Sequence, residues 1–103
     1  MTYSQPTAPT ELAENRLKRM KMRAWRRGTK EMDLILGPYA DAHLPKMPLD
    51  ELEIFDQILH TNDQDLLPMV LGQTPAPAAF AALMAKIATH ARVRLMSGTK
   101  LQV

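Results

Sequence analysis

Apolar residues recur along this chain at the spacing of an α-helix and nowhere at the spacing of a strand. Met32, Ile35, Leu36 and Tyr39 stand at i, i+3, i+4 and i+7, which places all four on one face of a helix. Leu52, Phe55, Ile58 and Leu59 do the same further on, as do Phe80, Leu83, Met84, Ile87, Ala91 and Leu95. No segment alternates with period two over any length, so no sheet is expected. The class is all-α, a compact bundle of about five helices in one domain, since 103 residues suffice for one modest core.

Punctuation residues divide the chain. Thr10 after Pro9 is the expected N-cap of a first helix running to Trp25 or Arg26, with Ala13, Leu17, Met20 and Ala24 facing the core. Gly28 stops it and Thr29 caps the second helix. Gly37-Pro38 should kink or interrupt that second helix, because proline lacks a donor and crowds the preceding turn. Pro48 opens the third helix, with Asp50 and Glu51 at its positive end. Asp50, Glu51, Glu53, Asp56 and Gln57 supply its solvent face. Asp63 is the expected N-cap of a short fourth helix, which Pro68 shortens or distorts and Gly72 ends. Gln73 to Pro77 reads as a stiff linker. The last helix spans about Ala78 to Met96 and stops at Ser97-Gly98-Thr99. The expected division is thus a disordered lead-in at 1–9, a helical domain at 10–96 and a frayed tail at 97–103.

Composition removes several classes of function. With no cysteine there is no disulfide framework, thiolate metal site or thiol nucleophile, and the chain suits a reducing cytoplasm. No apolar run approaches the ~20 residues that cross a bilayer, and the N-terminus has no secretory pattern. Ser4 and Ser97 lie in the expected frayed ends, without a histidine and carboxylate nearby. His43, His60 and His90 are scattered and read as structural or exposed, with no metal site expected. There is no phosphate loop and no dinucleotide fingerprint. No catalytic constellation remains, and an enzyme is not expected.

Charge is the unusual feature. Eight of thirteen basic residues lie between Arg16 and Lys30, and eight of eleven acids between Asp33 and Asp65, although the net charge is only +2. A basic helix, a glycine turn and a second helix suggest a nucleic-acid-binding protein. Against that, Glu31 and Asp33 open the second helix with the wrong sign for phosphate, and the central acids repel a polyanion. The remaining class is a protein-interaction module centred on Trp25-Arg26-Arg27-Gly28-Thr29-Lys30-Glu31-Met32-Asp33. Two accounts of this junction stay open. Arginines at a helix end, a glutamate at a helix start and an Arg27–Glu31 pair are explained by helix dipoles alone. Equally, the junction is a surface for a partner. Met22 and Trp25 project away from the expected core face. They either cover neighbouring side chains or stand exposed as anchors, a role for which interfaces favour Trp and Met.

Arg27-Gly28-x-x-Glu31 with Asp33 after it, Pro38-Tyr39, Phe55-x-x-Ile58-Leu59 and Asp63-x-Asp65-Leu66 together resemble the succinate dehydrogenase assembly factors, the SdhE or flavinator family. The likeness spans Arg16 to Gly72. One departure is Leu67-Pro68-Met69, where some relatives carry a tryptophan. The resemblance implies a small helical protein that promotes covalent attachment of FAD to the flavoprotein subunit of succinate dehydrogenase, and in some bacteria of fumarate reductase. It implies that Arg27, Gly28 and Glu31 dock on that client, with Trp25, Arg26, Asp33 and Arg23 beside them. FAD would be the client's cofactor, with none held stably by this chain.

Overall fold

The computed structural model describes residues 11–101, with side chains through residue 94. Thr10 and the 1–9 lead-in lie outside the described residues. Among the described residues there are five α-helices: α1 (Ala13–Trp25), α2 (Lys30–His43), α3 (Leu49–Leu59), α4 (Asp63–Val70) and α5 (Ala78–Leu101), with a 3₁₀ turn at Leu44–Lys46. α1 and α2 form a helical hairpin; α3 and α5 pack across it, and α4 against α5.

The expected apolar faces meet in one core. Met20, Ala24, Met32, Leu36, Tyr39, Phe55, Ile58, Leu59, Leu66 and Ile87 are buried, and Leu17, Ile35 and Phe80 pack half-buried against them. Ala13 is an exception: it stands exposed at the first position of α1. α1 starts behind Leu12, whose side chain makes no cap bond. Glu11 instead reaches two turns along the helix to Arg19, at 2.9 and 3.1 Å.

Asp56 does not belong to the solvent face. Its carboxylate accepts from Arg16 Nη2 at 3.2 Å and from Arg19 Nη2 at 2.8 Å, binding α3 to α1. Burial pushes the Asp56 carboxyl up, yet the Arg19 and Arg16 guanidiniums outweigh it and hold it below the usual value. Hydrogen bonds to Asp56 and Glu11 raise Arg19 in turn.

Two helix breaks expected from local rules do not occur. α2 is not interrupted at Gly37-Pro38. A proline at 38 removes one amide donor and crowds the carbonyl of Leu34 one turn back. Arg94 of α5 donates from Nη1 to that Leu34 carbonyl at 3.1 Å, replacing the lost partner. Gly37 is where the Trp25 ring lies: a Cβ there would stand 2.3 Å from Trp25 Cδ2. The Trp25 indole Nε1 donates to Asp41 Oδ1 at 3.2 Å. Likewise α5 passes Ser97-Gly98-Thr99 and runs on to Leu101, so the expected frayed tail is helical through that residue.

Gly37→Ala should push the Trp25 ring off α2 and cost about 1–3 kcal/mol, as overpacking does. Trp25 is the single tryptophan, so its emission should shift red as the melting temperature falls. An unchanged spectrum would show that the ring does not rest on Gly37. Acid should also loosen the joint between α1 and α3. Because the folded Asp56 value is lowered, its stabilisation is present above the unfolded carboxylate value of about 4 and lost as pH falls through the folded one. The urea midpoint of wild type should therefore drop more between pH 7 and pH 3 than that of Asp56→Asn.

Candidate functional site

Arg26 to Thr29 connect α1 to α2. Gly28 sits at φ +106°, a conformation that side chains resist, and a Cβ there would meet nothing within 4 Å. The glycine is required by backbone geometry, and its outer side is open. Thr29 Oγ1 accepts from the Met32 amide at 3.4 Å as the N-cap of α2. Asp33, one turn into α2, accepts from the Arg27 amide at 2.6 Å, closing the loop on itself.

Arg27 turns inward. Its side chain is only 3% exposed, and Nε donates to Asp63 Oδ1 at 2.8 Å. Nη1 donates to the Leu59 carbonyl and Nη2 to the Thr61 carbonyl. Those carbonyls belong to the end of α3 and the turn after it, where acceptors lack helical partners and carry partial negative charge. Arg23 reaches the same Leu59 carbonyl from Nε at 3.4 Å. Arg27 therefore pairs with Asp63, not with Glu31 four residues on. The guanidinium is directed to the end of α3 and the start of α4, where three acceptors meet it.

This ion pair also displaces the expected cap of α4. Asp63 is occupied by Arg27 and by Thr29 Oγ1 at 3.2 Å, and Asn62 takes the N-cap position, accepting from the amides of Gln64 and Asp65 at 2.9 and 3.3 Å. Sequence reasoning found Arg27 and Asp63 separately without joining them. The signal was the joint presence of Arg-Gly-x-x-Glu and Asp-x-Asp-Leu, two motifs that prove to be the halves of one clamp.

The other expected site residues divide clearly. Gly28, Glu31, Arg26 and Arg23 are exposed, and the side chains of Glu31, Arg26 and Lys30 make no ion pair or hydrogen bond among the described residues. Trp25, 37% exposed, covers Gly37 with one face, so it serves as a cover for its neighbours while leaving an edge outside. Met22 is exposed on the outer side of α1.

His60 is exposed with Nδ1 2.8 Å from the Asp56 carbonyl. His43 and His90 meet edge to face at 5.4 Å, both against Tyr39. Burial, followed by His43 and Arg94, lowers His90, whose Nδ1 is buried without a partner among the described residues. Burial pushes the Tyr39 hydroxyl up to about 12, with Glu51 adding to it. Among the described residues no group of three or more His, Cys, Asp or Glu is placed to hold a metal ion.

Geometry thus defines a small all-α bundle whose interhelical turn is locked from behind and open in front. The family model described as flavinator of succinate dehydrogenase matches residues 18–91, and the chain belongs to that family. It is 30% identical over 101 residues to the FAD assembly factor SdhE of Acetobacter pasteurianus, covering 90% of this chain and 93% of that protein. It is 33% identical over 76 residues to succinate dehydrogenase assembly factor 2, mitochondrial, of Mycosarcoma maydis, covering 74% of this chain but 32% of that protein. The protein of the same description from Penicillium rubens is 41% identical over 65 residues, covering 63% of this chain and 21% of that protein. The chain thus spans nearly all of the bacterial relative and about a third or less of the fungal ones.

Arg27→Ala should leave part-buried Asp63 with Thr29 alone and the Leu59 and Thr61 carbonyls without this donor, at a cost on the order of 3 kcal/mol. That is a large part of the ~5–15 kcal/mol available to a small domain. Arg27→Lys should recover only part of the loss, because one ammonium cannot span three divergent acceptors. Urea denaturation of both variants checks this. A loss below about 1 kcal/mol for Arg27→Ala would show that the clamp is not structural.

Proposed function

We propose that this chain promotes covalent attachment of FAD to the flavoprotein subunit of succinate dehydrogenase, docking through the outer side of the Gly28 turn. The observation that carries the reading is the division of labour within one motif. Arg27 is spent on holding the turn, whereas Gly28 and Glu31 face solvent from a rigid mount. A carboxylate left without an internal partner, fixed two residues into α2 beside an open glycine, suits a directional polar contact with another protein. Its rigidity lowers the ordering cost of binding. Arg26, Lys30 and Arg23 add positive charge around it, and Asp33 takes part by shaping the loop. By the same resemblance, a fumarate reductase flavoprotein is proposed as a second client.

No step of flavin chemistry is asked of this chain. The reactive ring and the attacking side chain are the client's, and the cofactor carries the hard chemistry. The assembly factor acts by binding one client conformation better than others. Shifting a 1:99 population to 99:1 takes ~5.5 kcal/mol of differential affinity, within reach of a modest interface. No helix among the described residues is long and apolar enough to cross a membrane. With no cysteine to protect, the proposed place of action is the cytoplasm.

The basic run offers little to a nucleic acid. Arg16, Arg19, Lys21 and Arg27 are paired with acids of the same chain, which takes half of the eight basic residues of that run away from any phosphate.

Glu31→Ala should lower covalent flavin in the client several-fold, read by in-gel flavin fluorescence of the denatured subunit. Its unfolding free energy should change by less than about 1 kcal/mol, the worth of one helix-end charge. Undiminished flavin with Glu31→Ala would overturn the assignment of the site, and flavin independent of the wild-type protein would overturn the function.

A further inference from the structure

We propose that docking extends past the Gly28 turn into a groove along the outer side of α2, and that its occupant is a client segment carrying an apolar side chain beside a carboxylate. This deepens the proposed function and rests on it. The groove, about 460 Å³, is walled by Trp25 on one side and by His90 and Arg94 on the other, with Pro38 and Ala42 between them.

Three observations carry the proposal. Continuity is the first. Glu31, Leu34, Pro38 and Ala42 follow one another at helical spacing, and none is buried. Glu31 and Pro38 stand seven positions apart, only about 10 Å along the helix, so a partner held at the turn meets the groove next. Preorganisation is the second. The Trp25 ring is fixed between Gly37 and Asp41 with its edge outside, and the backbone under Pro38 is held by the Arg94 bond to Leu34. A rigid aromatic wall beside a proline costs little entropy to cover. Charge is the third. Asp41, the acid of the groove, is already taken by Lys21 and the indole N–H. Arg94 has no acid partner among the described residues, and neither do Arg26 and Lys30 at the turn. Within the groove itself Arg94 is the charge left without an opposite partner among the described residues, so its polar demand is for an anion. Glu31 stands about two turns away at the Gly28 end. The apolar surface offered is Trp25 and Pro38, with Leu34, 38% exposed, next to them on α2.

The test measures binding of the full chain to the purified flavoprotein subunit before covalent flavinylation, by calorimetry. Ala42 is exposed, so Ala42→Glu and Ala42→Lys should melt like wild type. Ala42→Glu should weaken binding at least tenfold, and Ala42→Lys by threefold at most, since its charge suits the same partner. Arg94→Gln should also weaken binding, with Arg94→Lys restoring part of it. Equal weakening by Ala42→Glu and Ala42→Lys would overturn the acidic occupant. Wild-type affinity in both, while Glu31→Ala loses binding, would overturn the groove and leave the turn as the whole site. If wild type itself does not bind the subunit, the proposed function fails first, and the groove with it. Dimers of this chain that Ala42→Glu dissociates would make a second copy the occupant and likewise overturn the proposal.

Discussion

A guanidinium cannot be taken from water unless its donors are met, and the fold is arranged around meeting those of Arg27. Asp63 supplies the charge, and the carbonyls of Leu59 and Thr61 supply the remaining acceptors. In that arrangement the end of α3, the start of α4 and the turn between α1 and α2 become one unit. The geometry is reciprocal: Arg27 satisfies carbonyls that α3 cannot bond itself, and Asp63 receives Thr29 as well, which caps α2. Moving any of these elements exposes an unpaired charge in another.

The same economy governs the rest of the charge. Read along the chain, a basic first third and an acidic middle suggest two electrically distinct ends. Folded, they lie against each other, with Arg16 and Arg19 on Asp56, Lys21 on Asp41 and Arg27 on Asp63. Lys18, Arg26 and Lys30 are left pointing outward. Segregation that resembles a polyanion-binding signature is, in three dimensions, the way α1 is tied to α2 and α3, and the turn after α1 to α4.

How much of this is legible in the sequence follows from the range of each interaction. Core faces are local patterns, so Met32, Leu36, Tyr39, Leu52, Phe55, Ile58 and Leu59 are read directly from spacing and are buried. So are the Gly28 turn and the Thr29 cap. The direction in which Arg27 points depends on a residue 36 positions away, and no local rule connects them. The Asp63 cap fails for the same reason. Pro38 should have broken α2, and does not, because Arg94 from another helix supplies the missing donor. Gly98 does not end α5 although glycine is a common stop. Trp25 is the instructive case: a side chain that falls outside the expected core face has a seat made for it by the absence of a side chain at Gly37.

The clamp has a consequence for the order in which the molecule is made. α1 and α2 close over a four-residue connection, yet the acids that fix them lie 36 and 40 positions further along. A chain synthesised from its N-terminus therefore presents the hairpin first, with Arg16 and Arg27 still lacking their acids and Arg19 holding only Glu11. In that interval the turn at Gly28 is closed only by its local bonds to Asp33 and Thr29. The Arg27 guanidinium is fixed behind it only when Leu59, Thr61 and Asp63 have emerged. The backing of the face that carries Gly28 and Glu31 thus belongs to the finished domain, supplied by residues that the nascent first half does not yet contain.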